Sequence, residues 1–330
     1  MSATRVSWQV KWIGLVLIWG SSFLLMKVGL GALAPLQIST LRVVSGAVVV
    51  VTLLHLGRGR LPSERRAWLH LQVVGFFLCT APFTLFALGE TRVSSALAGI
   101  GNAVTPIATV VLTMLFVRDE HYSLPRLAGV VLGFVGVVVI MQPWAVYERP
   151  DLLGFAMTLA AGTCYGVGWT WHRLHLKRYD PGGLSVPAGQ LVSASGQLVL
   201  LLTAWWALGG SGLSAPWSAH LARPGGSVLW PLLGVLVLGT VGTGWAFTAQ
   251  FDVVRAAGAT VGTSVTYLIP VVSVLLGVLV LDEHVTAWTL VGFAFVLAGA
   301  VLIGLGNRWA TSHAARRAAR SPARLGNHLA

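Results

Sequence analysis

Charge is what this sequence has least of. Asp, Glu, Lys and Arg make up 10% of its 330 residues, against roughly 25% in an ordinary soluble domain. A soluble protein of this length needs charge to cover its outside, so a water-soluble globular domain is excluded. Lysine occurs three times and never after a phosphate-cradling glycine-rich loop, which argues against a nucleotide-driven pump. Cysteine occurs twice, as Cys79 and Cys164, far apart and inside apolar stretches. Neither a disulfide framework nor a metal-ligand spacing is present, so both read as small buried hydrophobes. No metal or cofactor is expected. H-E-x-x-H and G-x-S-x-G are missing as well, and no His pairs with a nucleophile at a suggestive spacing. A membrane enzyme without a familiar motif, or a receptor or scaffold, remains an alternative to transport.

Apolar residues, by contrast, are 55% of the chain. A spanning helix needs about 20 of them in a row. Ten segments qualify, at about 10–30, 35–56, 68–88, 93–117, 125–142, 152–171, 184–208, 228–250, 257–281 and 286–306. They are unbroken instead of alternating at period two, so helices are expected and a barrel is not. The first run is spanning length and has no A-x-A-like site after it, so no cleavable signal peptide is expected.

The net charge of +12 invites a nucleic-acid reading, but the basic residues sit in short connectors and the tail, where they orient a membrane protein. With the N-terminus in the cytoplasm, seventeen fall on inner connectors and tails and three outside, Arg92, Arg149 and Arg223. Lys27 and Arg42 remain within helices. Both termini are therefore expected inside. The tail, residues 305–330, reads as an unstructured basic strip near anionic headgroups.

The sequence repeats itself. Ala96 to Pro106 is followed by an apolar run and then Asp119, Glu120 and His121; Thr260 to Pro270 is followed by an apolar run and then Asp282, Glu283 and His284. Gly129 and Gly136 recur 163 positions later as Gly292 and Gly299, and Gly20, Lys27 and Pro35 recur 146 positions on as Gly166, Arg173 and Pro181. The chain reads as two five-helix units, 11–141 and 152–304. Five is odd, so the second enters the membrane from the opposite face, with a site between the halves.

These residues resemble the EamA family of the drug/metabolite transporter superfamily. The likeness runs from Trp19 through Lys27, Pro35 and Arg42, then through Pro106, Glu120 and Gly129, and again through Pro270, Glu283 and Gly292. It implies a ten-helix inner-membrane carrier of small metabolites, commonly an exporter of amino acids or similar compounds. The sequence departs from the family in a long Gly/Ser/Pro/Trp-rich connector, Trp205–Pro231, and in the Asp before each matching Glu.

Candidate site residues follow from cost. Pro106 and Pro270 lie inside spanning helices, where each frees a carbonyl, so both are expected to kink a cavity-lining helix. Asn102 corresponds to Thr266, with Tyr267 next to it. An amide in hydrocarbon needs a partner, which Asn102 finds on another helix or on substrate. Trp19, Tyr165, Trp169 and Tyr267 are candidates for cavity walls. Lys27 is expected to snorkel from the outer end of its helix. Arg42, seven residues past Pro35, lies about 10 Å deep; it must find water, a carbonyl or a ligand carboxylate, and Gln190 is its neutral counterpart. All ten acids fall at predicted helix ends or connectors. Facilitated diffusion or weak proton coupling is the expectation, with Glu90 and Asp252 in reserve.

Overall fold

The computed structural model describes residues 7–116, 124–142, 150–180, 182–209, 217–221, 225–257 and 259–320. Among these the chain is all-helical. Lipid offers backbone groups no partner, so each spanning segment must satisfy its own, and helices do so.

The first apolar run is two helices, α1 (Trp8–Gly20) and α2 (Ser22–Gly29), joined through Ser21. Pro35 opens α3 (Pro35–Leu56) with its φ already helical. The third run is α4 (Arg65–Gly75), a π-helical stretch Phe76–Thr80 and α5 (Ala81–Gly89). The fourth is α6 (Ser95–Asn102) and α7 (Thr105–Phe116), and the fifth is α8 (Leu124–Met141).

In the second half, α9 (Leu152–Trp171) is capped by Asp151, whose Oδ1 accepts from Gly154 N at 2.7 Å. It is followed by α10 (Ser185–Ala207), then α11 (Leu229–Gly239), a π-helical stretch Thr240–Trp245 and α12 (Ala246–Ala257). Last come α13 (Ala259–Leu281) and α14 (Ala287–Arg320). A third π-helical stretch, His172–Leu176, follows α9. Those at Phe76–Thr80 and Thr240–Trp245 begin at the same 164-residue spacing that separates Pro106 from Pro270.

Among the described residues, seven stretches are long and apolar enough to cross a membrane: Trp8–Gly29, Pro35–Leu56, Arg65–Gly89, Ser95–Phe116, Leu152–Leu176, Ser185–Ala207 and Leu229–Gln250. Leu127–Met141, Leu268–Leu281 and Ala287–Ile303 are apolar stretches within α8, α13 and α14, at the places of expected segments five, nine and ten.

Two expectations change. The helix around Pro106 is broken at Ala103 and Val104, with the proline in the first turn of α7, whereas α13 continues through Pro270. A proline at a helix start loses no bond it would have made; one inside does. The backbone beyond Asn307 is helical to Arg320 instead of unstructured. The Asp119–His121 turn and residues 321–330 lie outside the described residues.

Between helices in lipid there is little hydrophobic driving force, so small residues that permit close approach decide the packing. The contact of α8 with α14 shows it. A Cβ on Gly129 would lie 2.6 Å from Gly299 O and one on Gly299 2.5 Å from Gly129 O; Gly136 and Gly292 stand in the same reciprocal relation at 2.6 Å each. Elsewhere α3 packs on α10 and on the Thr240–Trp245 stretch, while α10 packs on the Phe76–Thr80 stretch. Helix α9 packs on α5 and α7, and α1 on α12 and α13. His220, in the long connector, donates its backbone N–H to Ala32 O in the α2–α3 turn at 2.9 Å.

Candidate functional site: a polar centre between the halves

Four polar side chains meet where α3, α10 and the Phe76–Thr80 and Thr240–Trp245 stretches cross. Arg42 on α3 is buried; its Nε donates to Thr243 Oγ1 at 3.1 Å, and its guanidinium lies 3.7 Å from the centre of the Phe83 ring. Among the described residues its other nitrogens donate to nothing. Gln190 on α10 is also buried, and its Nε2 donates to Cys79 Sγ at 3.2 Å. Cys79 and Thr243 each sit in a π-helical stretch, again 164 residues apart. A π turn carries one residue more than an α turn and is frequent at functional sites.

The neighbours are aromatic. Trp19 Nε1 donates to Gly242 O at 3.0 Å, one residue from Thr243. The Tyr165 ring lies 6.2 Å from that of Phe86 and packs against apolar clusters on both sides. The arrangement brings a cation, an amide and aromatic surface together among buried residues. It suits recognition of a small solute carrying a carboxylate.

The other sequence candidates separate from this group. Asn102 is buried at the end of α6, where its Oδ1 accepts from Thr105 Oγ1 at 3.4 Å; its partner is the next turn of its own chain. Thr266 lies half-buried on α13. Tyr267 is on the same helix, with its side chain outside the described residues. Trp169 is 49% exposed, its ring edge-on to His172, and so faces away from the centre.

One end of the bundle carries a second polar group. Glu283, in the α13–α14 turn, accepts from Ser95 N at 2.7 Å, Ala96 N at 2.9 Å and Ser95 Oγ at 3.0 Å. A carboxylate on unsatisfied N–H groups of a helix start is favoured by both hydrogen bonding and the helix dipole. Ser273 Oγ adds a bond to Ser95 O at 3.0 Å, so α13 and its turn clasp the start of α6. Lys27 donates to Glu90 O at 2.6 Å and Val93 O at 2.9 Å. It thus caps helix-end carbonyls instead of reaching for water. A recess of about 210 Å³ beside the clasp is lined by Arg92, Ser94, Gln142, Asp151 and His284, among others. Asp151 there is held below the usual aspartate range by the Gly154 amide and by Arg92, 3.3 Å away. At the opposite end Lys11 on α1 pairs with Asp252 on α12, and a larger recess, about 570 Å³, lies between the α3–α4 and α9–α10 connectors.

Sequence reasoning missed Thr243, Phe83 and the clasp. Applying the proline spacing to Cys79 points to Thr243, so that signal was present. The clasp had none, because Glu283 meets Ser95 only through tertiary packing.

An all-helical chain of repeated apolar spans around a polar centre is a multi-pass membrane protein. This chain belongs to the EamA-like transporter family, whose model matches it twice, over residues 7–142 and 152–305. It is 25% identical over 299 residues to an uncharacterized transporter of Archaeoglobus fulgidus, covering 89% of this chain and 98% of that one. Over 301 residues it is 24% identical to a probable amino-acid metabolite efflux pump of Escherichia coli K12, covering 89% and 93%. The uncharacterized inner membrane transporter YedA of the same organism is 24% identical over 295 residues, covering 88% and 89%. A solved crystal structure, 21% identical, shares the fold with a TM-score of 0.60 over 93% of this chain and 99% of its own.

Proposed function

We propose that this protein is a ten-helix secondary carrier of two inverted five-helix halves, 11–141 and 152–304. It exports a small polar metabolite, an amino acid or similar, across the cytoplasmic membrane by alternating access. Both termini lie in the cytoplasm, and the basic segment 305–330 runs beside anionic headgroups. The observation that carries the reading is the crossed pair of hydrogen bonds, Arg42 to Thr243 and Gln190 to Cys79, each joining one half to the other. The Gly129–Gly299 and Gly136–Gly292 contacts support it, because the 163-residue repeat maps one contact onto the other. A two-fold relation produces that mapping, and a carrier can exchange inward-open and outward-open states by exchanging the conformations of its halves.

Arg42 holds the solute's carboxylate, Gln190 and Tyr165 supply further polar contact, and Trp19 walls the site. The relative described as a probable amino-acid metabolite efflux pump supports the choice of solute class. Counterflow of a uniformly 14C-labelled amino-acid mixture in proteoliposomes tests it. Transient label accumulation in preloaded vesicles, abolished in Arg42→Ala, is expected. Its absence in the native protein removes amino-acid transport and leaves a membrane enzyme or a receptor to be tested. Label modification of residues 282–284 from the cytoplasmic side would remove the inverted arrangement.

A further inference from the structure

Glu90 lies one residue beyond the span Arg65–Gly89, and its side chain is completely buried. Neither Oε1 nor Oε2 has a hydrogen-bond partner among the described residues. The charged groups acting on it are Lys27, Glu283 and Arg42. Each is engaged elsewhere. Lys27, from α2, donates to the carbonyls of Glu90 and Val93; Arg42, from α3, is bonded to Thr243 and stacked on Phe83. Glu283 is held by Ser95 and Ala96. Arg92 and Asp151, near the start of α9, face one another, and the Tyr165 ring of α9 packs against Phe86 of α5. The carboxyl of Glu90 thus meets no donor from any of these elements. A carboxylate stripped of water and hydrogen bonds takes up a proton in preference to standing ionised. The sequence had placed this acid at a helix end, which is correct; what it did not show is that the end is sealed.

The clasp lies at this same end of the bundle. Glu283 on the start of α6 and Lys27 on the Glu90–Val93 turn close the same end of the bundle. Parting them brings water to Glu90 and favours its ionised form.

We propose that Glu90 is the proton-binding site of the carrier. The carboxylate, ionised while the clasp is open, takes one proton from the outer solution as the clasp closes and is a neutral acid in the closed state. It releases the proton inward as substrate moves out. No bond changes other than the O–H. This deepens the carrier reading and rests on it, so the tests separate the two.

The first test needs no substrate. Infrared spectroscopy of the purified full chain at pH 7 is expected to show a protonated-carboxyl band that Glu90→Gln removes; its absence from the native protein overturns the proposal and leaves transport untouched. The second uses proteoliposomes and the labelled amino-acid mixture, with the membrane potential clamped at zero. At one proton per substrate, one pH unit supports up to about tenfold accumulation. The ratio of gradient-driven to gradient-free uptake is expected to exceed one several-fold in the native protein and in the Glu64→Gln control, and to fall to about one in Glu90→Gln. A ratio of about one in the native protein with counterflow intact, or an unchanged ratio in Glu90→Gln, overturns proton coupling alone. Failure of counterflow itself overturns both readings. A thermal melt of Glu90→Gln within a few degrees of the native protein establishes that the variant is folded.

Discussion

Arg42 Nε donates to Thr243 Oγ1 at 3.1 Å, joining α3 in one half of the chain to the Thr240–Trp245 stretch of the other. A buried guanidinium tolerates few losses among its partners. Thr243→Val keeps the shape and removes the acceptor, so a loss of about 1–3 kcal/mol in stability is expected. Cys79→Ala removes a weaker acceptor from a neutral amide and is expected to cost less. Paired thermal melts check the order, and equal losses would contradict it.

Arg42→Lys preserves charge but not the planar fork that lies on Phe83 while donating from Nε. Uptake of the labelled amino-acid mixture is expected to fall about tenfold or more, equivalent to about 1.4 kcal/mol. Initial-rate measurements at several concentrations check this. Native rates in the lysine variant would show that charge alone suffices.

Glu283→Ala removes the three hydrogen bonds that Glu283 contributes to the clasp and leaves the Ser273 bond to Ser95 O in place. A Ser94→Cys reporter beside it is expected to react several-fold faster with a membrane-impermeant maleimide added outside. Glu283→Gln retains part of the bonding and is expected to fall between. Unchanged labelling would mean that the clasp does not limit opening.

Gly129→Leu or Gly299→Leu places a side chain where a backbone carbonyl already lies within 2.6 Å. The α8–α14 contact must then open, and a destabilisation of about 1–3 kcal/mol is expected. Detergent unfolding curves measure it. Leucine at Gly14, where a Cβ meets nothing within 4 Å, serves as the control.

Asp151 contributes through its ionised form, because its pKa is lowered by the Gly154 amide and Arg92. That contribution is complete above the unfolded aspartate range and is lost as pH falls through the lower folded value. The stability difference between the native protein and Asp151→Asn is therefore expected to shrink as pH drops from 7 toward 3. A difference that grows on acidification would reverse the assignment.

The sequence by itself determined that this chain lives in lipid, because 55% apolar residues in spanning runs leave too little charge to face water. It also determined the family and the repeat, since Pro106 and Pro270, or Gly129 and Gly292, are readable at fixed spacing. Arg42 and Gln190 were legible as costly polar groups, though their partners were not named. Tertiary structure alone decided which way each side chain points. It set Trp169 outside and Asn102 against Thr105 at the start of the next helix, brought Glu283 to Ser95, and sealed Glu90 from water. The reason is physical: composition and spacing fix what a helix contains, whereas burial and hydrogen bonding depend on which face a neighbour covers, and that is a property of the packed bundle.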